Sequence, residues 1–106
     1  MDALPAVITD HLDQIRELCV KYHVTKLTLF GSAVQGKFDA KHSDIDLVVE
    51  FEGHADPIER GRRYNELWDE LRGILGRHVD LLVASTIKNP YLEASIRDAH
   101  RDLYAA

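Results

Sequence analysis

The amino-acid sequence predicts an α/β fold in which a small mixed β-sheet is covered by helices. Short alternating runs of strand formers are interleaved with segments whose apolar residues recur every three or four positions. Two of the helical segments open on a cap-then-proline signal, Asp56-Pro57 and Asn89-Pro90. The 106 residues suffice for one modest core and not for two, so residues 1–106 are expected to form a single domain. Within it a first helix spans about 7–23 and the remaining core about 25–104.

Each element has its own signal. Ile8, Leu12, Ile15, Leu18, Cys19 and Tyr22 keep three- and four-residue spacings, the apolar stripe of an amphipathic helix. Lys26 to Phe30 (KLTLF) alternates and ends at Gly31-Ser32, a short strand. The polar stretch AVQGKFDAKHS reads as one helical turn followed by a loop. Ile45 to Phe51 (IDLVVEF) is a second strand with unlike faces: Asp44, Asp46, Val48 and Glu50 against Ile45, Leu47, Val49 and Phe51. Asp56 as N-cap, Pro57 at the first helical position and Glu59 start the next helix. Its stripe is Tyr64, Leu67, Trp68, Leu71, Ile74 and Leu75, and Gly76 ends it. His78 to Val83 is a third strand. After Asn89-Pro90 a last helix carries Leu92, Ile96, Ala99 and Leu103 on one face.

Composition excludes several functions. A net charge of −5 and the lack of any Lys/Arg run argue against binding long nucleic acid, which needs a basic face. No apolar run reaches the length of a membrane span, and MDALPAVITDHLDQ has acids where a signal peptide needs basic and apolar residues. The single Cys19 has no internal disulfide partner and falls on an apolar stripe. A cytoplasmic location is expected. The six histidines, His11, His23, His42, His54, His78 and His100, show no zinc-ligand spacing.

The chemistry lies in three acids and one turn. Asp44 and Asp46 leave the same face of a strand with Cα atoms about 6–7 Å apart. Such a pair repels unless a cation lies between the carboxylates. Hard divalent ions with oxygen ligands fit it best, and Mg²⁺ takes one or two carboxylates plus substrate phosphates. Asp80, between Val79 and Leu81, is costly to bury unless paired or metal-bound. Phe30-Gly31-Ser32 closes a strand and opens a helical turn, presenting backbone amides and a hydroxyl to an anion. Singly, each has a plainer explanation, since strand-start acids are commonly exposed and Ser32 suits an N-cap. In this order they are the parts that metal-assisted phosphoryl or nucleotidyl transfer requires.

The stretch LFGSAVQGKFDAKHSDIDLVVEF resembles the signature of DNA polymerase beta-type nucleotidyltransferases: Gly-Ser, a spacer, then Asp-x-Asp. The branch it is most similar to is the short MNT-domain antitoxins that partner HEPN-domain ribonuclease toxins, and IKNPYLEASIRDAHRDLYA is similar to how those proteins end. The resemblance runs from about Lys26 to Tyr104. It implies a polymerase beta-like nucleotidyltransferase fold with residues 25–104 as the catalytic core. It implies that Gly31 and Ser32 hold the β- and γ-phosphates of ATP and that Asp44 and Asp46 ligate two Mg²⁺ ions. Asp80 would complete the metal site and help deprotonate the attacking hydroxyl. The implied reaction moves AMP from ATP onto a hydroxyl, a tyrosyl one, of a HEPN toxin encoded nearby, which neutralises it within a hetero-oligomer. Two features depart from the pattern. Gln35 stands where relatives often carry Arg, and the spacer is one residue longer, with Lys37 or Lys41 the candidate replacements.

Two other functions compete. One is a noncatalytic antitoxin that masks the toxin by binding. The other is nucleotidylation of a small molecule such as an aminoglycoside, which the short chain disfavours because such enzymes carry an extra substrate-binding domain. Elsewhere plain roles are expected. His42 reads as an exposed loop residue, and Arg60, Arg62 and Arg63 as a solvated helix face. Tyr64 and Trp68 read as core, while Tyr91 and Tyr104 are candidates for an interface or for packing.

Overall fold

Two periodicities account for the layers. In the computed structural model, which describes residues 4–53 and 56–106, the elements are α1 (Ala6–Thr9), α2 (Leu12–Lys21), β1 (Val24–Phe30), a 3₁₀ turn (Gly31–Ala33), β2 (Ile45–Phe51), α3 (Pro57–Leu75), β3 (Val79–Val83), a second 3₁₀ turn (Ala84–Thr86), α4 (Pro90–Asp98) and β4 (His100–Ala105). Met1 to Ala3, which begin the stretch read against a signal peptide, lie outside the described residues, as do His54 and Ala55.

The sheet order is β3-β2-β1-β4. β1 is antiparallel to both β2 and β4, whereas β2 and β3 run parallel, so the sheet is mixed as expected. Alternation sorts the strands into faces. Leu27, Leu29, Ile45, Leu47, Val49, Val79 and Leu81 are buried on one face in a single cluster with Ile15, Leu18 and Cys19 of α2 and Leu67, Leu71 and Leu75 of α3. Each large side chain buried there contributes about 1.5–3 kcal/mol. The other face carries Asp46, Val48 and Glu50, and α4 beside it buries no residue. Polar chemistry is thus left on the open face.

The helix ends follow local chemistry. Asp56 accepts from the Glu59 amide at 2.9 Å, and Pro57 begins α3. Gly76 ends it in the left-handed region at φ 64°, its amide donating to the Arg72 carbonyl. Asn89 caps α4 by accepting from the amides of Tyr91 and Leu92.

Two elements differ from expectation. The helix expected over 7–23 is broken at Asp10 and His11, inside a run of weak helix formers, Thr9-Asp10-His11. Ile8 and Ile15 are nonetheless both fully buried. The last helix stops at Asp98, and Leu103 reaches the core from a strand instead. Without β4 the outer amides and carbonyls of β1 lack partners, and the β1–β4 ladder satisfies them. Among the described residues no helix is long and apolar enough to cross a membrane.

Candidate functional site

β2 and β3 lie side by side with Asp46 directly opposite Asp80. Neighbouring strands are about 4.7–4.9 Å apart, so these two carboxylates share one end of the open face. Asp44 immediately precedes Ile45, the first residue of β2. Asp46 is half-buried, while Asp44 and Asp80 are exposed. The Asp46 carboxyl is held above the usual carboxylate range, first by burial and then by the negative charges of Asp80 and Asp44, with His78 opposing. The charges of Asp80 and Asp44 therefore both reach the Asp46 carboxyl.

The Gly-Ser turn joins them through β1. Phe30, its last residue, pairs with Asp46, and Gly31 then turns at φ +76°. A Cβ on Gly31 would lie 2.4 Å from Asp46 Oδ2. Only a residue without a side chain lets this carboxylate rest against the turn. Within the turn the Gly31 carbonyl accepts from the amides of Val34 and Gln35, at 3.0 and 3.1 Å. Ser32 is half-buried, and its carbonyl accepts from the Lys37 amide at 3.1 Å.

The donor set is oxygen-only, mutually repelling and open to solvent on one side, and Mg²⁺ fits those conditions. Among the described residues no group of three or more His, Cys, Asp or Glu side chains is placed to hold a metal ion without further ligands. Mg²⁺ usually keeps waters and substrate phosphates among its ligands, so an incomplete protein shell suits it.

Other residues fall into place around this end. Trp68 Nε1 donates to the Val79 carbonyl at 2.8 Å, and the Tyr64 hydroxyl donates to the Leu81 carbonyl at 2.5 Å. Both rings pack on the core, yet their polar tips hold the strand on either side of Asp80, a role the reading as core residues missed. The signal was present in two aromatic residues with polar tips four positions apart on one helix. Burial, and after it the Asp80 charge, raises the Tyr64 hydroxyl above its ordinary pKa. His42 is exposed and contacts Asp39 Oδ2 at 2.9 Å. Arg62 pairs with Glu59 and Glu66, and Arg63 with Glu59, a network within one helix. Tyr91 is 85% exposed, whereas Tyr104 packs against the core.

Two clefts flank the site. One, of about 420 Å³, lies between α4 and the open face and is lined by Thr28, Val48, Glu50 and Ile96 among others. The other, of about 630 Å³, opens on the β4 side of the Gly-Ser turn and is lined by Gln35, Lys37, His100 and Arg101 among others. None of the three aspartates lines either cleft.

A family model described as nucleotidyltransferase domain matches residues 12–103. A Methanocaldococcus jannaschii protein provisionally named protein adenylyltransferase MJ1379 is 41% identical over 78 residues, which cover 74% of this chain and 75% of that protein. Protein adenylyltransferase MntA of Thermococcus cleftensis is 30% identical over 99 residues, 92% of this chain and 91% of that one. Among solved structures, a toxin–antitoxin crystal structure with AMP-PNP is similar at a TM-score of 0.65 and 26% identity, covering 90% of this chain and 73% of that chain.

Proposed function

The chain belongs to the nucleotidyltransferase domain family, and from that premise we propose that it is a Mg²⁺-dependent protein adenylyltransferase that transfers AMP from ATP to a tyrosyl hydroxyl of a HEPN-domain ribonuclease toxin. It thereby acts as the antitoxin of that partner, in a hetero-oligomer within the cytoplasm, using one domain whose catalytic core is residues 25–104. The observation that carries this reading is the register of Asp46 opposite Asp80 beside a glycine turn that has no room for a Cβ. The adenylyltransferase relatives and the toxin–antitoxin neighbour with AMP-PNP support an adenine nucleotide donor and a toxin as partner.

In this mechanism the backbone of Gly31 and the hydroxyl of Ser32 hold the β- and γ-phosphates. Asp44, Asp46 and Asp80 would hold two Mg²⁺ ions, which would supply charge neutralisation at the phosphates and acidify the acceptor hydroxyl. Asp80, exposed at the rim, receives the hydroxyl proton as the oxygen attacks the α-phosphorus. The bond from that phosphorus to the β-phosphate oxygen breaks, and pyrophosphate leaves. With Gln35 in place of a fixed guanidinium, the phosphates rest more heavily on the turn and on Lys37 or Lys41.

The test mixes the protein, Mg²⁺ and ATP labelled at the α-phosphate with the HEPN protein encoded beside it, with an Asp44→Asn, Asp46→Asn variant in parallel. Label is expected on the partner with the unaltered protein alone. Binding of the two proteins without label transfer would replace this reading by a masking antitoxin that retains the fold without the reaction.

A further inference from the structure

Asp44 stands one residue ahead of β2, and the backbone on both sides of it is tied to the turn that leads into β3. On the strand side, the Ile45 amide donates to the His78 carbonyl at 3.2 Å. On the loop side, Arg77 donates from Nη1 to the Ser43 carbonyl at 3.3 Å. The Arg77 guanidinium also lies 5.0 Å from the centroid of the Phe38 ring, so one side chain grips the same loop at two points. Between those points the loop is a self-bonded knot. The Asp39 amide donates to Ser43 Oγ at 2.9 Å, the Ser43 amide to the Asp39 carbonyl at 2.8 Å, and the Lys41 amide to Asp39 Oδ1 at 2.9 Å. These bonds brace the loop internally, and Arg77 joins it to the turn that leads into β3. Arg77 Nε is buried without a hydrogen-bond partner, which costs stability and marks a side chain constrained by what its far end contacts.

We propose that Arg77 is a positioning residue for nucleotidyl transfer: through Ser43 and Phe38 it fixes Asp44 relative to Asp46 and Asp80, and so sets the affinity of the three acids for a divalent ion. The Ile45 bond secures the strand side of Asp44, and Arg77 removes the remaining backbone freedom on the loop side. The inference rests on the metal-dependent reading above.

Binding of Mn²⁺, followed by the loss of its free-ion electron paramagnetic resonance signal, tests this without any turnover. Arg77→Met is expected to weaken Mn²⁺ binding about 10-fold, the range seen when an outer partner of a metal ligand is removed. Arg77→Lys should restore part of that loss, since one donor and the charge remain. In the double variant Arg77→Met, Asp44→Asn, affinity should fall no further than in Asp44→Asn alone, because the arginine acts through that carboxylate. Losses that add in the double variant, or unaltered Mn²⁺ binding by a folded Arg77→Met, overturn the proposal. If thermal melts show that Arg77→Met does not fold, Phe38→Leu carries the same comparison against Asp44→Asn. If the unaltered protein takes up no Mn²⁺, either alone or together with α,β-methylene-ATP beyond what the nucleotide itself binds, the metal-dependent reading fails and this inference fails with it.

Discussion

Trp68 donates a 2.8 Å hydrogen bond from its indole Nε1 to the carbonyl of Val79, the residue next to Asp80. Tyr64, one helical turn earlier, does the same for the Leu81 carbonyl. β3 is an edge strand of the sheet, and these two donors occupy carbonyls that have no neighbouring strand to accept from. Replacing Trp68 by Phe keeps most of the ring and deletes the donor. The Trp68→Phe variant is expected to lose about 1–3 kcal/mol in urea unfolding, the cost of a buried carbonyl left unsatisfied. An unchanged midpoint would mean that water reaches Val79 and replaces the bond.

Gly31 is constrained twice, by its φ of +76° and by Asp46 Oδ2 at 2.4 Å from where a Cβ would stand. Gly31→Ala should cost about 1–2 kcal/mol from the left-handed backbone alone, seen as a lower melting temperature. It should also displace the Asp46 carboxylate, so AMP transfer is expected to fall by far more than the stability loss accounts for. A variant that is less stable yet fully active would show that the carboxylate need not rest on the turn.

In the absence of divalent ions, burial and the charges of Asp80 and Asp44 raise the Asp46 carboxyl. A carboxyl whose folded pKa lies above its unfolded one favours folding below the unfolded value, and that contribution is lost as pH rises through the folded value. In EDTA, Asp46→Asn should therefore melt above the unaltered protein at pH 7, and the gap should narrow near pH 4. Added Mg²⁺ should raise the melting temperature of the unaltered protein and leave Asp46→Asn nearly still. Equal melting curves in EDTA across this pH range would remove the repulsion from the account.

Burial pushes the Cys19 thiol up to about 12, and its side chain is sealed inside the α2 interface. Thiolate is the reactive form, so iodoacetamide at pH 8 should label the native protein at least about 100-fold more slowly than the urea-unfolded chain. Fast native labelling would report that α2 opens frequently.

What could be read from sequence was whatever local chemistry decides. The start of α3 at Asp56-Pro57 and its stop at Gly76 are contained in a few adjacent residues, and both were legible. The bounds of β2 and the separate face of Asp46 follow from alternation. β4 was not legible, because Leu92, Ile96, Ala99 and Leu103 keep a helical spacing past Asp98, and the ladder to β1 that overrides it is a contact distant in sequence. The pairing of Asp46 with Asp80 is of the same kind: the residue types proposed it, and the parallel register of β2 and β3 supplies it. Arg77 and Ser43 gave no sequence signal, since a guanidinium finding a backbone carbonyl 34 positions away leaves no periodic trace.

β1 is paired on both sides, and one of those partners is far along the chain: Thr28 Oγ1 donates to Asp102 Oδ1 across 74 positions. Bringing such distant segments together costs chain entropy before the ladder between them compensates. Refolding should therefore be slower than for a helical bundle of this size. Until residues 100–105 arrive, the exposed edge of β1 can accept any strand with the right pattern, including β4 of another copy. Exchange of that strand between molecules is thus the misassembly to expect, and refolding yield should drop as protein concentration rises.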